Sequence, residues 1–341
     1  TRTNLARDEQ RKRLIMPNTM FELIDRIVGL DIGGRGITGL YAPARAMTTE
    51  PICAAAARTL TRLAPGDRVF IVTGSLSRAG VSTSIAENDG PIGAAVLARA
   101  LTYGFNAIPV VLVDETTVDK TAAMVERAGP NVVTQAQADI AVATPRYTSV
   151  AVVEAGAIDD TEARALAKTL VERHNPKVVI STERAGMSAD GTYRNMLAQD
   201  YSEGRAKLDY VVEEAQARGI PTIGIGDGGN EIGFGAIRDA VAEHVPGGDV
   251  LCANLATDIV YPVGVSNWGC YAIIAALAIL TNKPDIAHTA DLERALIEAS
   301  PGIGLIDGTS GRLEATVDGL PMAIHEGIVN LLVQAVRKGL G

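Results

Sequence analysis

Arg68-Val-Phe-Ile-Val-Thr-Gly74 is a short, nearly unbroken apolar run closed by a glycine. A run of that length, rich in branched residues, reads as a strand buried on both faces. A helical pattern over residues 91–103 follows it, and then a second such run, Ile108-Pro-Val-Val-Leu-Val113. The same alternation predicts strands over 149–153, 177–181 and 222–225. Between the first two of these, Ala163, Leu166, Ala167, Leu170 and Val171 share one face of a helix. Strands separated by helices of this length cannot pair as hairpins. The fold class is therefore α/β: a mainly parallel twisted sheet with right-handed crossovers and helices on both faces.

Outward from this centre the pattern is helical. Phe21, Leu23, Ile24, Ile27 and Val28 recur at helical spacing, Asp31-Ile-Gly-Gly-Arg-Gly36 interrupts, and an Ala-rich stretch resumes at Pro51, which suits a first helical turn. Towards the other end, residues 267–281 predict a buried helix, 291–300 an amphipathic one, and Arg312 to Val317 a strand. Ile324, Ile328, Leu331, Leu332 and Ala335 stripe a closing helix, with His325 exposed or capping at its start. No repeat is evident. The division expected is a helical N-terminal extension over 1–66 and an α/β catalytic domain over 67–341, a two-lobed arrangement being the alternative. The Ala-rich helices leave room for a homo-oligomer.

Composition excludes several classes. Hydrophobic residues make up 47% but aromatics only 4%, so the core is built from Ala, Val, Ile and Leu. A net charge of −9 is the wrong sign for a nucleic-acid groove. Cys53, Cys252 and Cys270 form no CxxC pair and read as buried thiols in a reducing compartment, and four scattered histidines make a histidine-rich zinc site implausible. The polar start, Thr1 to Arg13, carries no signal-peptide pattern. The longest apolar run, Tyr271 to Leu280, is about half of the ~20 residues that span a bilayer. A cytoplasmic enzyme with no membrane or nucleic-acid partner is expected.

Ligands of parallel sheets collect at the C-terminal ends of strands. After residue 73 a long polar loop leads to Glu87-Asn-Asp-Gly-Pro91, where Asp89 reads as the cap of the next helix and Glu87 as a second carboxylate able to bind an amine or a hard cation. After residue 181 come Glu183, Arg184, Asp190, Tyr193 and Asn195: an arginine to hold a carboxylate bidentately and two acids for proton transfer. Gly224-Ile-Gly-Asp-Gly-Gly-Asn-Glu-Ile-Gly-Phe-Gly235 follows the last strand. It matches GxGxxG by letter, but Asp227, Asn230 and Glu231 would repel a pyrophosphate. Their oxygens suit Mg²⁺, Mn²⁺ or an ammonium, and the glycines let the backbone come close to a small ligand. Ser266 and Asn267, in Gly264-Val-Ser-Asn-Trp-Gly269, read as a helix cap or as substrate-facing.

Taken together, Glu87-x-Asp-Gly-Pro91, Glu183-Arg-Ala-Gly186, Asp190-Gly-x-Tyr-x-Asn195, Gly226-Asp-Gly-Gly-Asn-Glu231, Gly264-Val-Ser-Asn-Trp-Gly269 and Val317-Asp-Gly-Leu-Pro321 resemble the D-glutamate cyclase family, and Arg35-Gly-Ile37 extends the likeness backwards. The resemblance implies a hydro-lyase that interconverts D-glutamate and 5-oxo-D-proline, with Mn²⁺ as the metal. On that basis Glu87 or Glu183 carries the proton, with Asp89 and Asp190 as further catalytic acids. Arg184 holds the α-carboxylate. Asp227 with Glu231 holds the metal or the amine. Tyr193, Asn195, Gly228, Gly229, Asn230, Ser266 and Asn267 line the substrate, the Gly228 and Gly229 amides as candidate oxyanion donors for that reaction. Asn88 inside the first motif, Phe234 where Met is expected and Cys270 where Gly is expected depart from the family and would retune the pocket toward another lactam or amino acid. Two other readings compete: a metal-assisted hydrolase that opens a lactam, and a non-catalytic protein that binds an acidic amino acid.

Overall fold

Alternate residues of Arg68–Val72 (β1) feed two different cores, Val69 and Ile71 one, Phe70 and Val72 the other. A strand that is apolar on both sides needs a sheet covered on both faces. The computed structural model, which describes residues 18–74, 76–144 and 149–341, puts β1 at the centre of such a sheet. The polar start at residues 1–13 lies outside the described residues.

A two-residue strand, Ala86–Glu87 (β2), follows β1 but belongs elsewhere. The other members of the sheet are Ile108–Val113 (β3), Asn131–Val132 (β4), Val150–Ala155 (β5), Val178–Thr182 (β6), Thr222–Gly226 (β7) and Ile259–Pro262 (β8). Their order is β4-β5-β3-β1-β6-β7-β8, and every pair is parallel. The α/β class and the parallel sheet are therefore as the sequence indicates. β2 pairs with Leu305–Ile306 (β9), and Thr316–Val317 (β10) makes a hairpin with Leu320–Pro321 (β11). The strand expected over 312–317 is thus cut to its last two residues. Asp307 is the reason: its carboxylate accepts from the Ser310 and Gly319 amides and the Thr316 hydroxyl, which folds the segment into a turn.

Residues 18–28 (α1), Thr38–Ala46 (α2) and Ile52–Leu60 (α3) precede the sheet. Pro91–Phe105 (α4), Val118–Ala128 (α5), Gln135–Ala143 (α6), Asp160–His174 (α7) and Asp209–Ala217 (α8) connect its strands. Arg238–His244 (α9) and Gly248–Leu251 (α10) lie before β8, and Ser266–Thr281 (α11), Ala290–Ile303 (α12) and Met322–Leu340 (α13) follow it. The face of Phe70 and Val72 is covered by α6, α7 and α8, and the opposite face by the remaining long helices.

α11 is buried almost end to end between α3, α4 and α13, which accounts for its apolar surface all round. His325 of α13 is buried against it, accepting at Nδ1 from the Trp268 indole N–H at 3.0 Å, so its expected exposed or capping role is corrected. The helices before residue 67 share this core. Asp25 is buried and accepts from the Ile52 and Cys53 amides at the start of α3 and from the Tyr41 and Tyr261 hydroxyls, which ties α1, α2 and α3 to β8. All three cysteines are buried free thiols. Among the described residues no helix is long and apolar enough to cross a membrane.

Candidate active site

From β1 the chain moves to β3 on one side, and it later returns to β6 on the other. Loops leaving adjacent strands at such a switch diverge and open a crevice at their C-terminal ends. Register then decides which side chains meet there. Thr182 of β6 pairs with Ile225 and Gly226 of β7 pairs with Pro262, so Glu183 and Asp227 emerge side by side, each one residue beyond its strand. Asp89 arrives from the turn before α4. One oxygen from each of Asp89, Glu183 and Asp227 lies within 4.8 Å of the other two.

Asp89 does not cap its own helix, as the sequence suggested. Its Oδ1 accepts from the Asn267 amide at 2.9 Å and its Oδ2 from the Ser266 amide at 3.0 Å, so it caps α11. Asn267 returns the favour with Oδ1, which accepts from the Gly90 and Gly93 amides at 2.9 and 2.6 Å and caps α4. Asn267 is thereby a structural link between two helix starts. Ser266 keeps its hydroxyl for the cluster, donating to Glu183 Oε2 at 2.5 Å. Gly90 makes the close approach possible: at φ 85° it takes a left-handed backbone, and a Cβ there would stand 2.8 Å from both Glu183 Cβ and Thr73 Oγ1.

Glu183 itself has φ 47°, a left-handed conformation that is strained for a residue with a side chain. Asp89 and Asp227 are buried, whereas Glu183 keeps partial access to water. Burial, and after it the neighbouring Asp89, Glu231, Glu87 and Asp318 charges, hold the Glu183 carboxyl well above its ordinary value. Burial raises Asp89 and Asp227 in the same direction, opposed at Asp227 chiefly by Arg35. The folded chain consequently binds more protons than the unfolded one from the ordinary carboxylate range near pH 4 up to these raised values. Stability should fall as pH rises through that window. Glu154 and Asp307, whose values are lowered, lose their contribution only below it. With a chelator present, calorimetry should give a higher thermal midpoint at pH 5.5 than at pH 8; a flat or reversed profile would contradict the crowding of carboxylates.

Glu231 stands apart from the cluster. Its Oε1 accepts from the Asp227 and Gly228 amides at 3.0 and 2.8 Å and its Oε2 from the Gly229 amide at 2.7 Å. The anion cradle of this glycine loop is thus filled by the protein's own carboxylate. That corrects two expectations: Gly228 and Gly229 are not available as oxyanion donors, and Glu231 is not beside Asp227 as a metal ligand. Two residues absent from the expected set take part instead. Arg35, from the turn between α1 and α2, pairs with Asp227 and, at 3.1 Å, with Asp318. Asp31 holds that turn by accepting from the Arg35 and Gly36 amides.

The family description "D-glutamate cyclase-like, C-terminal" matches residues 24–333, a span that contains every residue of this cluster. The chain belongs to that family. A human relative, "D-glutamate cyclase, mitochondrial", is 34% identical over 166 residues, 48% of this chain and 25% of the human protein. The chain thus aligns with about a quarter of the length of that curated relative.

In this D-glutamate cyclase-like chain, several expected site residues serve the scaffold. Arg184 is completely buried and turned away from the cluster, paired bidentately with Asp114 at 2.6 and 2.9 Å and donating to the Gly74 and Ala206 carbonyls. Tyr193 is buried and donates to Asp209 at 2.6 Å. Asn195 accepts from the Leu197 and Gln199 amides in a surface turn. Asp190 is exposed and bound by Ser188, Thr192 and Arg194, bonds that hold its carboxyl below the ordinary value and unsuit it to proton transfer near neutrality. Asn230 faces inwards, donating to the Arg194 carbonyl and, at 3.3 Å, to the Tyr201 hydroxyl. Glu87 lies near the cluster through the pairing of β2 with β9, and its Oε2 occupies space that a Cβ at Gly308 would fill. Arg35 and Asp318 carried a signal, since both stand in family-like motifs, but nothing in a separation of 283 residues announces their contact.

Proposed function

We propose that this protein is a hydro-lyase that interconverts D-glutamate, or a close analogue, and its five-membered lactam 5-oxo-D-proline. The observation that carries this reading is the convergence of Asp89, Glu183 and Asp227 at the switch point of the sheet, in a chain of the D-glutamate cyclase-like family. Three carboxylates in a largely buried crevice demand a cation, and the substrate's α-ammonium is one. Cyclisation requires that this ammonium lose two protons, one before and one after its nitrogen bonds to the γ-carboxyl carbon, and that one γ-carboxyl oxygen gain both and leave as water. Asp89 is anchored by amides of α11 and Asp227 by Arg35, so both are held in place around the ammonium. Glu183, with its raised proton affinity, partial exposure and bond from Ser266, is suited to take each of the two protons from the nitrogen in turn and deliver it to the departing oxygen. Arg35 stands where it can face the negative charge that develops on the γ-carboxyl group.

The same three oxygens form a hard donor set that fits Mn²⁺ or Mg²⁺. Asp89, Glu183 and Asp227 would hold the ion, without Glu231, and the ion would polarise the reacting carboxyl group. With a metal there, Glu87 is the neighbouring carboxylate left to carry the proton.

Proton NMR of the protein with D-glutamate, L-glutamate and 5-oxo-D-proline, in Mn²⁺ and in EDTA, tests the reading. Interconversion of the D forms is expected. Loss in EDTA assigns the cluster to a metal, and survival assigns it to the ammonium. A folded sample that converts none of them refutes the reaction, in the ring-opening direction as well.

A further inference from the structure

Two arginines of the loop after β6 are buried, and the fold treats them differently. Arg184 has Asp114. Arg205, 1% exposed, has no carboxylate partner among the described residues, and its Nε and Nη1 make no hydrogen bond. Its one side-chain bond runs from Nη2 to the Leu76 carbonyl at 2.7 Å. The guanidinium lies 4.0 Å over the ring of Tyr201 and 5.8 Å from the ring of Tyr193. Burying a charge without a counter-charge is unfavourable, and cation–π contact offsets only part of that. Such a group implies an anion supplied from outside.

Its position says which anion. Tyr201 carries Arg205 on its ring and meets Asn230 through its hydroxyl, and Asn230 belongs to the loop that presents Asp227. Burial pushes the Tyr201 hydroxyl up to about 12, Arg205 opposing this and the Glu87, Glu183 and Glu231 charges adding to it, so the ring lies within electrostatic reach of both the guanidinium and the acids. In the proposed reaction the γ-carboxyl group loses an oxygen, while the α-carboxylate is carried unchanged from amino acid to lactam. Arg35, already engaged by Asp227 and Asp318, belongs to the reacting end.

We propose that Arg205, seated on Tyr201, is a carboxylate subsite that takes the non-reacting carboxylate of an amino dicarboxylic acid or of its lactam. The identity of the substrate rests on the reading above; the anion subsite rests on the guanidinium. A planar fork that can bind a carboxylate through two donors suits Arg and not Lys.

The test uses glutarate, a dicarboxylate without an amine, titrated at constant ionic strength while thermal midpoints are read for the full chain. The wild-type midpoint should rise with saturation. The half-saturating concentration should increase roughly tenfold or more in Arg205→Met, as expected for a lost charge-assisted contact, and by an intermediate factor in Arg205→Lys. No rise in the wild type, or equal titrations in wild type and Arg205→Met, overturns the subsite. Should Arg205→Met not fold, Arg205→Lys decides: weakening supports the subsite and an unchanged titration overturns it. D-Glutamate turnover measured alongside separates the two ideas. Arg205-dependent glutarate binding without turnover keeps the subsite and removes the reaction, whereas turnover with Arg205-independent binding does the reverse.

Discussion

Glu183→Gln should reduce turnover of D-glutamate by roughly 10²–10⁴-fold while raising the thermal midpoint of the metal-free protein. Both effects follow from one arrangement. Glu183 is crowded by Asp89 and Asp227 within 4.8 Å, and its charge repels theirs in a poorly hydrated crevice. A neutral amide keeps the shape and still accepts from Ser266, but it neither repels its neighbours nor carries a proton. Stability gained where activity is lost marks a residue kept for chemistry. Progress curves by NMR and a denaturation scan at pH 7.5 on the same preparation provide the check. Turnover within threefold of wild type, or a lowered midpoint in EDTA, would remove Glu183 from its assigned role.

Arg184→Met should cost about 3–5 kcal/mol of folding stability, the penalty for stranding a buried partner charge. Asp114 and Arg184 are both fully buried, and Asp114 Oδ1 also accepts from the Ala206 amide at 2.7 Å. The pair clamps the loops after β1, β3 and β6 beneath the crevice. Urea unfolding measures the loss, and replacing both partners, Arg184→Met with Asp114→Leu, should recover part of it. Any folded fraction of the single variant should bind glutarate as the wild type does. A variant of full stability that had lost glutarate binding would restore Arg184 to the substrate.

Much of this architecture was legible in the sequence because short-range physics dictates it. Apolar runs of five or six residues separated by helical stripes leave a parallel sheet as the arrangement that buries both faces, and β1, β3, β5, β6 and β7 follow from them, whereas β4 and β8 carried no such run. Asp89, Glu183 and Asp227 were visible as carboxylates at strand ends, which is where that topology gathers side chains. Their neighbours misled. Arg184, next to Glu183 in sequence, points the opposite way, because adjacent residues at a strand end diverge and Asp114 waits on the buried side. Glu231 looked like a ligand because it is close in sequence to Asp227, yet its carboxylate folds back onto the amides of three loop residues, Asp227, Gly228 and Gly229.

The sequence alone determined the class of fold, the strand ends that form the crevice, and the acidic character of what gathers there, since each depends on residue type and local periodicity. Tertiary structure decided which acids share a centre, that Arg35 and Asp318 join them across 283 residues, and that Arg184 is paired with a carboxylate while Arg205, among the described residues, is not. Those outcomes depend on strand register and on where distant loops dock. A carboxylate's partner is chosen by geometry in three dimensions, and spacing along the chain carries no record of it.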